Sequence, residues 1–287
     1  MDILDYAFMQ RALIAAALVG ITAPAIGTYL VQRRQALMGD GLGHVAMTGV
    51  ALGFVLQTSP VWMATLVAVV GAVGMELIRA RGRTSGDVAL AMLFYGGLAG
   101  GVMIINLGGG QTASLLGSMF GSITTVAAED VTAMAILAAF VLAVAVGLRR
   151  QLFAVCQDEE FARVTGLPVR ALNLLMAVTA AVTVTVAMRI VGLLLVSAML
   201  VIPVAAAQRI TRSFATTLGL AMAISVTVSL TGTAATYYIN VPSGATIVLL
   251  AIGVFMVLTA LSAPLARRRA RAARVTEEVC TRDDVKV

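Results

Sequence analysis

Uninterrupted apolar runs of about 17 to 25 residues recur along this chain from Phe8 to Pro264, and each is long enough to cross roughly 30 Å of hydrocarbon as an α-helix. That repetition leaves few folds open. Inside a bilayer every backbone N–H and C=O needs a partner within the protein, so only helices and closed β-barrels span. Barrel strands are short and alternate in polarity, whereas VTAMAILAAFVLAVAVGL, from Val131 to Leu148, is almost continuously apolar. Composition agrees: 60% of the 287 residues are hydrophobic and 12% are charged, a balance that cannot clothe a water-soluble globule. The expected fold class is all-α, a polytopic membrane helical bundle.

Breaks in hydrophobicity give about nine spans, with eight as the alternative: Phe8 to Gln32, Gly41 to Gln57, Pro60 to Ile78, Val88 to Ile105, Val131 to Leu148, Leu172 to Ala187, Val191 to Gln208, Phe214 to Tyr238 and Pro242 to Ala263. The first lacks a basic leader and an A-x-A cleavage site, so it is expected to be retained. Basic residues gather in alternate loops, at Arg33 and Arg34, Arg79 to Arg83, Arg149 to Arg170, Arg209 and Arg212, and in the tail from Arg267; of the 20 Lys and Arg only Arg11 and Arg189 fall opposite. The positive-inside rule then predicts an outer N-terminus and a cytosolic C-terminus. Residues 1–266 form the transmembrane domain, and 267–287 a mixed basic and acidic tail expected to stay disordered, its RRRARAAR head anchoring on anionic lipid. The net charge of +6 describes a membrane face and is no evidence for nucleic-acid binding. Cys156 and Cys280 lie far apart without C-x-x-C spacing, so neither disulfide nor metal clip is expected.

Two stretches depart from simple spans. Between Asn106 and Asp130 the chain is too rich in Gly and Ser for a lipid-exposed helix and too apolar for an open loop, which suggests a helix re-entering from outside. In the cytosolic loop from Arg149 to Arg170, Asp158, Glu159 and Glu160 suit the positive end of a short amphipathic helix, Gly166 can end it, and Pro168 prevents its continuation. Such a helix serves either as a solvated connector or as a docking point for a partner.

Few ionisable residues fall inside spans, where they are costly and functional by default. Asp40 and His44, the sole histidine, are spaced i, i+4 and so share a face of the second helix. A carboxylate and an imidazole offer oxygen and nitrogen donors suited to Zn²⁺ or Mn²⁺; the alternative is a helix cap with a histidine bonded to a neighbouring carbonyl. Glu76 is expected to pair with Arg79. Glu129 and Asp130 suit either cation attraction or capping, and Arg189 can pair with one of them. Tyr237 and Tyr238 are expected in an interfacial belt. Pro203 and Pro24 interrupt helices and permit kinks, and Pro203 is a candidate for gating.

RRQALMGDGLGHVAMTGVALG (Arg33 to Gly53), LLGSMFGSITTVAAEDV (Leu115 to Val131), DEEFARVTG (Asp158 to Gly166), VGLLLVSAMLVIPVAAA and VPSGATIVLL, in that order, resemble the membrane subunit of the zinc and manganese ATP-binding-cassette importers. The resemblance implies a homodimeric permease in the cytoplasmic membrane, driven by cytosolic ATPase subunits and supplied by an extracellular metal-binding protein. It implies a pathway role for Asp40 and His44, and ATPase coupling through Asp158, Glu159, Glu160, Ala162, Gly166 and Val169. Some members of that family have His or Asp where Tyr237, Tyr238 and Asn240 stand, which puts an outer metal site in doubt.

The expected function is therefore import of a divalent metal, zinc first, with manganese or iron as alternatives. The chain is expected to bind no cofactor of its own: it has no G-x-x-x-x-G-K-[ST] loop, and its sole lysine is Lys286, so ATP is used by the partner and the chain is not an enzyme. Rival classes are a metal-chelate permease of the siderophore or cobalamin type, an ion-coupled secondary carrier, which should show repeated halves with broken helices, and a structural or receptor-like membrane protein.

Overall fold

The computed structural model describes residues 6–81, 86–108, 128–239 and 241–262, and among them there is no strand. α1 runs Ala7–Gln32, α2 Met38–Val55, α3 Pro60–Ala80 and α4 Gly86–Leu107. α5 (Ala128–Leu142) passes into a π-helical turn at Ala143–Gly147, and two short helices follow, α6 (Arg149–Gln157) and α7 (Glu159–Val164). The remainder are α8 (Val169–Val191), α9 (Leu193–Gln208), α10 (Phe214–Ile239) and α11 (Ser243–Ser262).

Each segment expected to span is helical, but the span count comes out lower. Among the described residues six helices are long and apolar enough to cross a membrane alone, or seven if α5 and α6, bent by 65° at their junction, count as one. The two that fall short are α2, of 18 residues with Asp40 and His44 aboard, and α9, of 16 residues. Both lie inside the bundle, where neighbouring helices rather than lipid satisfy them.

Boundaries follow local chemistry. Pro60 opens α3 at its first position, where its missing N–H costs no hydrogen bond. α2 starts at Met38, three residues before the expected Gly41, so Asp40 sits within its first turn. The break expected near Arg189 falls instead at Gly192, whose φ of 86° and ψ of 153° define a conformation essentially confined to glycine. α6 corrects the expectation of a single helix in the cytosolic loop: Leu152 and Val155 are buried on it, so that part of the loop folds onto the bundle.

α1 is mostly enclosed, packing against α10, α9, α5 and α8, while α2 lies between α4 and α3 and also touches α8 and α9. Close approach depends on missing side chains. A Cβ on Gly27 would overlap the Leu200 carbonyl of α9, and one on Gly97 of α4 would press on the backbone of His44 and Val45. Gly97 accepts a bond from Thr48 Oγ1 at 2.6 Å, which ties α4 to α2 beside His44. Leu66, Val70 and Leu77 on α3 and Leu249, Met256 and Leu261 on α11 are exposed, as lipid-facing surfaces require. Tyr238 is exposed as well, and the Tyr237 ring lies 5.4 Å from it.

The re-entrant helix expected between Asn106 and Asp130 falls largely outside the described residues, as do Asn240, Cys280 and the tail; the side chains of Glu129, Asp130 and Arg189 do so too.

Candidate functional site

The helical phase of α2 brings Asp40 and His44 together, with Asp40 Oδ1 3.9 Å from His44 Nε2. Asp40 lies in the first turn of α2, where the exposed N–H groups and helix dipole favour a carboxylate. It is not the helix cap, since Leu37 holds that position without a side-chain bond. Ser197 of α9 donates to Asp40 Oδ1 at 3.3 Å. Phe94 of α4 meets the His44 ring edge-on with centroids 4.3 Å apart. The His44 side chain is 8% exposed and that of Asp40 28%, so the pair faces a restricted space.

His44 Nδ1 is buried without a hydrogen-bond partner among the described residues. The alternative of a histidine satisfied by a carbonyl is therefore not what the fold provides. His44 Nε2 and the partly exposed Asp40 carboxylate are the two donors this part of α2 could offer a cation, and the unpartnered Nδ1 is the other ring nitrogen. No group of three His, Cys, Asp or Glu able to hold a metal occurs among the described residues, and two donors hold a divalent ion loosely. Pro203 lies inside α9, six residues beyond Ser197 on the same helix.

The segment from Asp158 to Gly166 folds by strong local rules. Asp158 caps α7, its Oδ1 accepting from the N–H of Glu160 at 2.9 Å and of Phe161 at 3.0 Å. Gly166, at φ 83°, ends the helix: its N–H reaches the Arg163 carbonyl at 3.2 Å, and Leu167 N–H reaches the Ala162 carbonyl at 3.1 Å. The six predicted coupling residues are not equivalent. Asp158 and Glu160 are exposed, Ala162 and Val169 are packed into the bundle, and Glu159 turns inward. The surface a partner would meet includes Phe161, 64% exposed, and Val164, 87% exposed. Neither stood out in the sequence; their signal is an apolar i, i+3 pair on a short polar helix beside buried Ala162.

Glu159 enters a cluster that sequence reasoning only half found. Arg79 forms the expected fork with Glu76, with bonds of 3.0 and 2.9 Å. Three donors converge on Glu159 Oε1: Arg33 Nη2, Arg79 Nη2 at 3.0 Å and Asn173 Nδ2 at 3.2 Å. Arg33 Nη1 also donates to Asn173 Oδ1 at 2.8 Å. Two guanidiniums and two carboxylates thus cancel among the end of α1, α3, α7 and α8. Burial pushes the Glu159 carboxyl up, but Arg33 and Arg79, with bonds from Arg79 and Asn173, outweigh it and hold it below the usual glutamate value.

Beside this cluster the elbow between α5 and α6 is held by aromatic contacts. The Tyr29 hydroxyl donates to the Ala145 carbonyl in the π-helical turn, and the Phe214 ring lies 5.0 Å from Tyr29 and 4.8 Å from Phe153.

The profile of the ABC 3 transport family matches residues 5–262. A manganese transport system membrane protein of Halalkalibacterium halodurans is 31% identical over 254 residues, 88% of this chain and 87% of that protein. A Haemophilus influenzae protein named as a probable iron transport system membrane protein is 30% identical over 261 residues, 90% of this chain and 95% of that one. Among solved structures, PsaBC from Streptococcus pneumoniae in complex with Fab aligns with a TM-score of 0.78 at 30% identity, over 89% of this chain and 92% of that chain.

Proposed function

Because this multi-pass membrane chain belongs to the ABC 3 transport family, we propose that it is the permease subunit of an ATP-driven importer of divalent transition metal, acting in the cytoplasmic membrane. The observation that supports the metal assignment is the Asp40 and His44 pair, whose Oδ1 and Nε2 lie 3.9 Å apart with the carboxylate partly exposed. A carboxylate and an imidazole bind such an ion weakly enough to release it, which a transporter requires.

In this reading two copies of the chain enclose the pathway, and an extracellular binding protein delivers the ion to Asp40 and His44. ATP closes partner ATPases, which grip α7 through Phe161, Val164, Asp158 and Glu160. The bundle then exposes the site inward, and Pro203 gives α9 a point of flexure. Nine crossings, with α2 and α9 carried inside the protein, and a cytosolic C-terminus fit the basic residues of alternate loops.

Ligand chemistry alone put zinc first. The relatives named for manganese and iron transport move those two ahead of zinc in the order of testing. The decisive measurement is uptake of Mn²⁺, Fe²⁺ and Zn²⁺ by the chain reconstituted with its ATPase and binding protein. ATP-dependent accumulation of one ion supports the proposal, whereas uptake of a metal chelate but no free ion, or uptake without an ATPase, would overturn it.

A further inference from the structure

Among the groups predicted for ATPase coupling, Glu159 turns its carboxylate toward the bundle. Its carboxylate binds Arg33, Arg79 and Asn173, and the side chain is 34% exposed against 5% for Arg33. A cation as buried as Arg33 needs a counter-charge, and Glu159 is the carboxylate that bonds it.

What lies beyond Arg33 gives this bond its interest. Arg33 ends α1, and Arg34 follows in the left-handed region at φ 59°. The reversal is clamped by Arg34 N–H to the Val31 carbonyl at 3.0 Å and Gln35 N–H to the Leu30 carbonyl at 2.8 Å. A non-glycine residue at positive φ in so tight a turn leaves little slack. α2 then starts at Met38, and Asp40 is seven residues from Arg33. A single side-chain bond therefore joins the helix that would meet the motor to the turn leading into the ion-binding pair.

Beside the cluster is a cavity of about 500 Å³ lined by Glu76, Arg79, Glu159 and Asn173, with Arg163 and Arg170 on its wall. The Glu159 carboxylate thus borders open space as well as its three partners.

We propose that Glu159 is a positioning residue for transport: it fastens α7 to the turn between α1 and α2, so that displacement of α7 is felt at Asp40 and His44. The inference rests on the permease reading and deepens it, separating residues that meet the motor from one that passes its motion inward.

The test uses Glu159→Gln, which keeps the shape and an accepting oxygen while removing the charge, and Glu159→Asp, which keeps the charge on a shorter arm. In lipid nanodiscs, amide hydrogen exchange in α7 and at residues 33–40 is expected to quicken about tenfold in Glu159→Gln and less in Glu159→Asp, with α10 unchanged. In the reconstituted complex, Glu159→Gln is expected to bind the ATPase as the wild type does, yet to import about tenfold less Mn²⁺ per ATP hydrolysed; Glu159→Asp recovers part of that ratio. Unchanged exchange, or a loss confined to ATPase affinity, would overturn the positioning role. Normal import by Glu159→Gln would do the same while leaving the permease reading intact, whereas absence of ATP-driven metal import in the wild type would overturn both.

Discussion

Among the described residues, two ionisable clusters that come within seven residues of each other in sequence, at Arg33 and Asp40, are built in opposite ways. Around Arg33, Glu76, Arg79, Glu159 and Asn173, bonds are numerous and charges cancel. Around Asp40 and His44 the partners sit 3.9 Å apart, and one imidazole nitrogen is unused. A group meant to hold helices together is stable when fully satisfied. A group meant to receive and release a cation must keep donors in reserve, at a cost in stability.

The comparison breaks most sharply in transport. Asp40→Ala with His44→Ala should reduce metal uptake by about 100-fold or more, on the order of the loss seen when metal-site contacts are removed, with ATPase assembly intact; uptake measured in proteoliposomes decides it. Next in size is Glu159→Ala, which leaves Arg33 buried beside Arg79 without its carboxylate. It should cost about 2–3 kcal/mol in unfolding free energy, below the full value for a wholly buried pair because Glu159 is partly exposed. His44→Leu should do the reverse, leaving stability unchanged or raising it by about 1 kcal/mol through loss of an unsatisfied polar atom, even as transport fails. Thermal unfolding in one detergent would compare the two variants directly.

Smaller effects sharpen the picture at α7. Gly166→Ala meets no neighbour within 4 Å of its new Cβ, so its whole cost is the strained φ, about 1–2 kcal/mol, read as faster amide exchange at Leu167. Ala162→Glu is a poor probe of docking because Ala162 is packed inside; Val164→Glu tests the exposed surface and should weaken ATPase binding in a pull-down while leaving stability within about 0.5 kcal/mol. The smallest effect concerns pH. Arg33 and Arg79 hold the Glu159 carboxyl low, with Glu76 bound to Arg79 alongside. The Glu159 contribution is therefore present above the unfolded glutamate value, about 4.3, and is lost only as pH falls through the lower folded value. The melting-temperature advantage of the wild type over Glu159→Gln should hold from neutrality to about pH 5 and shrink below it.

Legibility in the sequence followed the range of the forces involved. The start of α7 at its acidic residues and its stop at Gly166 were readable because both are set by residues within one turn. The fork between Glu76 and Arg79 and the shared face of Asp40 and His44 were readable because a helix fixes i, i+3 and i, i+4 neighbours. Arg33 with Glu159 was not, since 126 residues separate them and no periodicity links a basic turn to an acid in another loop. Ser197 beside Asp40 escaped notice for the same reason, at a separation of 157. The turn at Gly192 was misplaced by a few residues because hydropathy averages over a window wider than the turn itself.

Sequence by itself determined that the chain is a bundle of apolar helices, where most of them start and stop, and which residues could bind a cation, because hydropathy, capping and helical phase act over one or a few turns. Tertiary structure alone decided which helices are enclosed rather than lipid-facing, that Glu159 serves the interior while Phe161 and Val164 face outward, and that His44 is left with an unused nitrogen. Those outcomes depend on which helices become neighbours, and that is set by packing between segments distant in the chain.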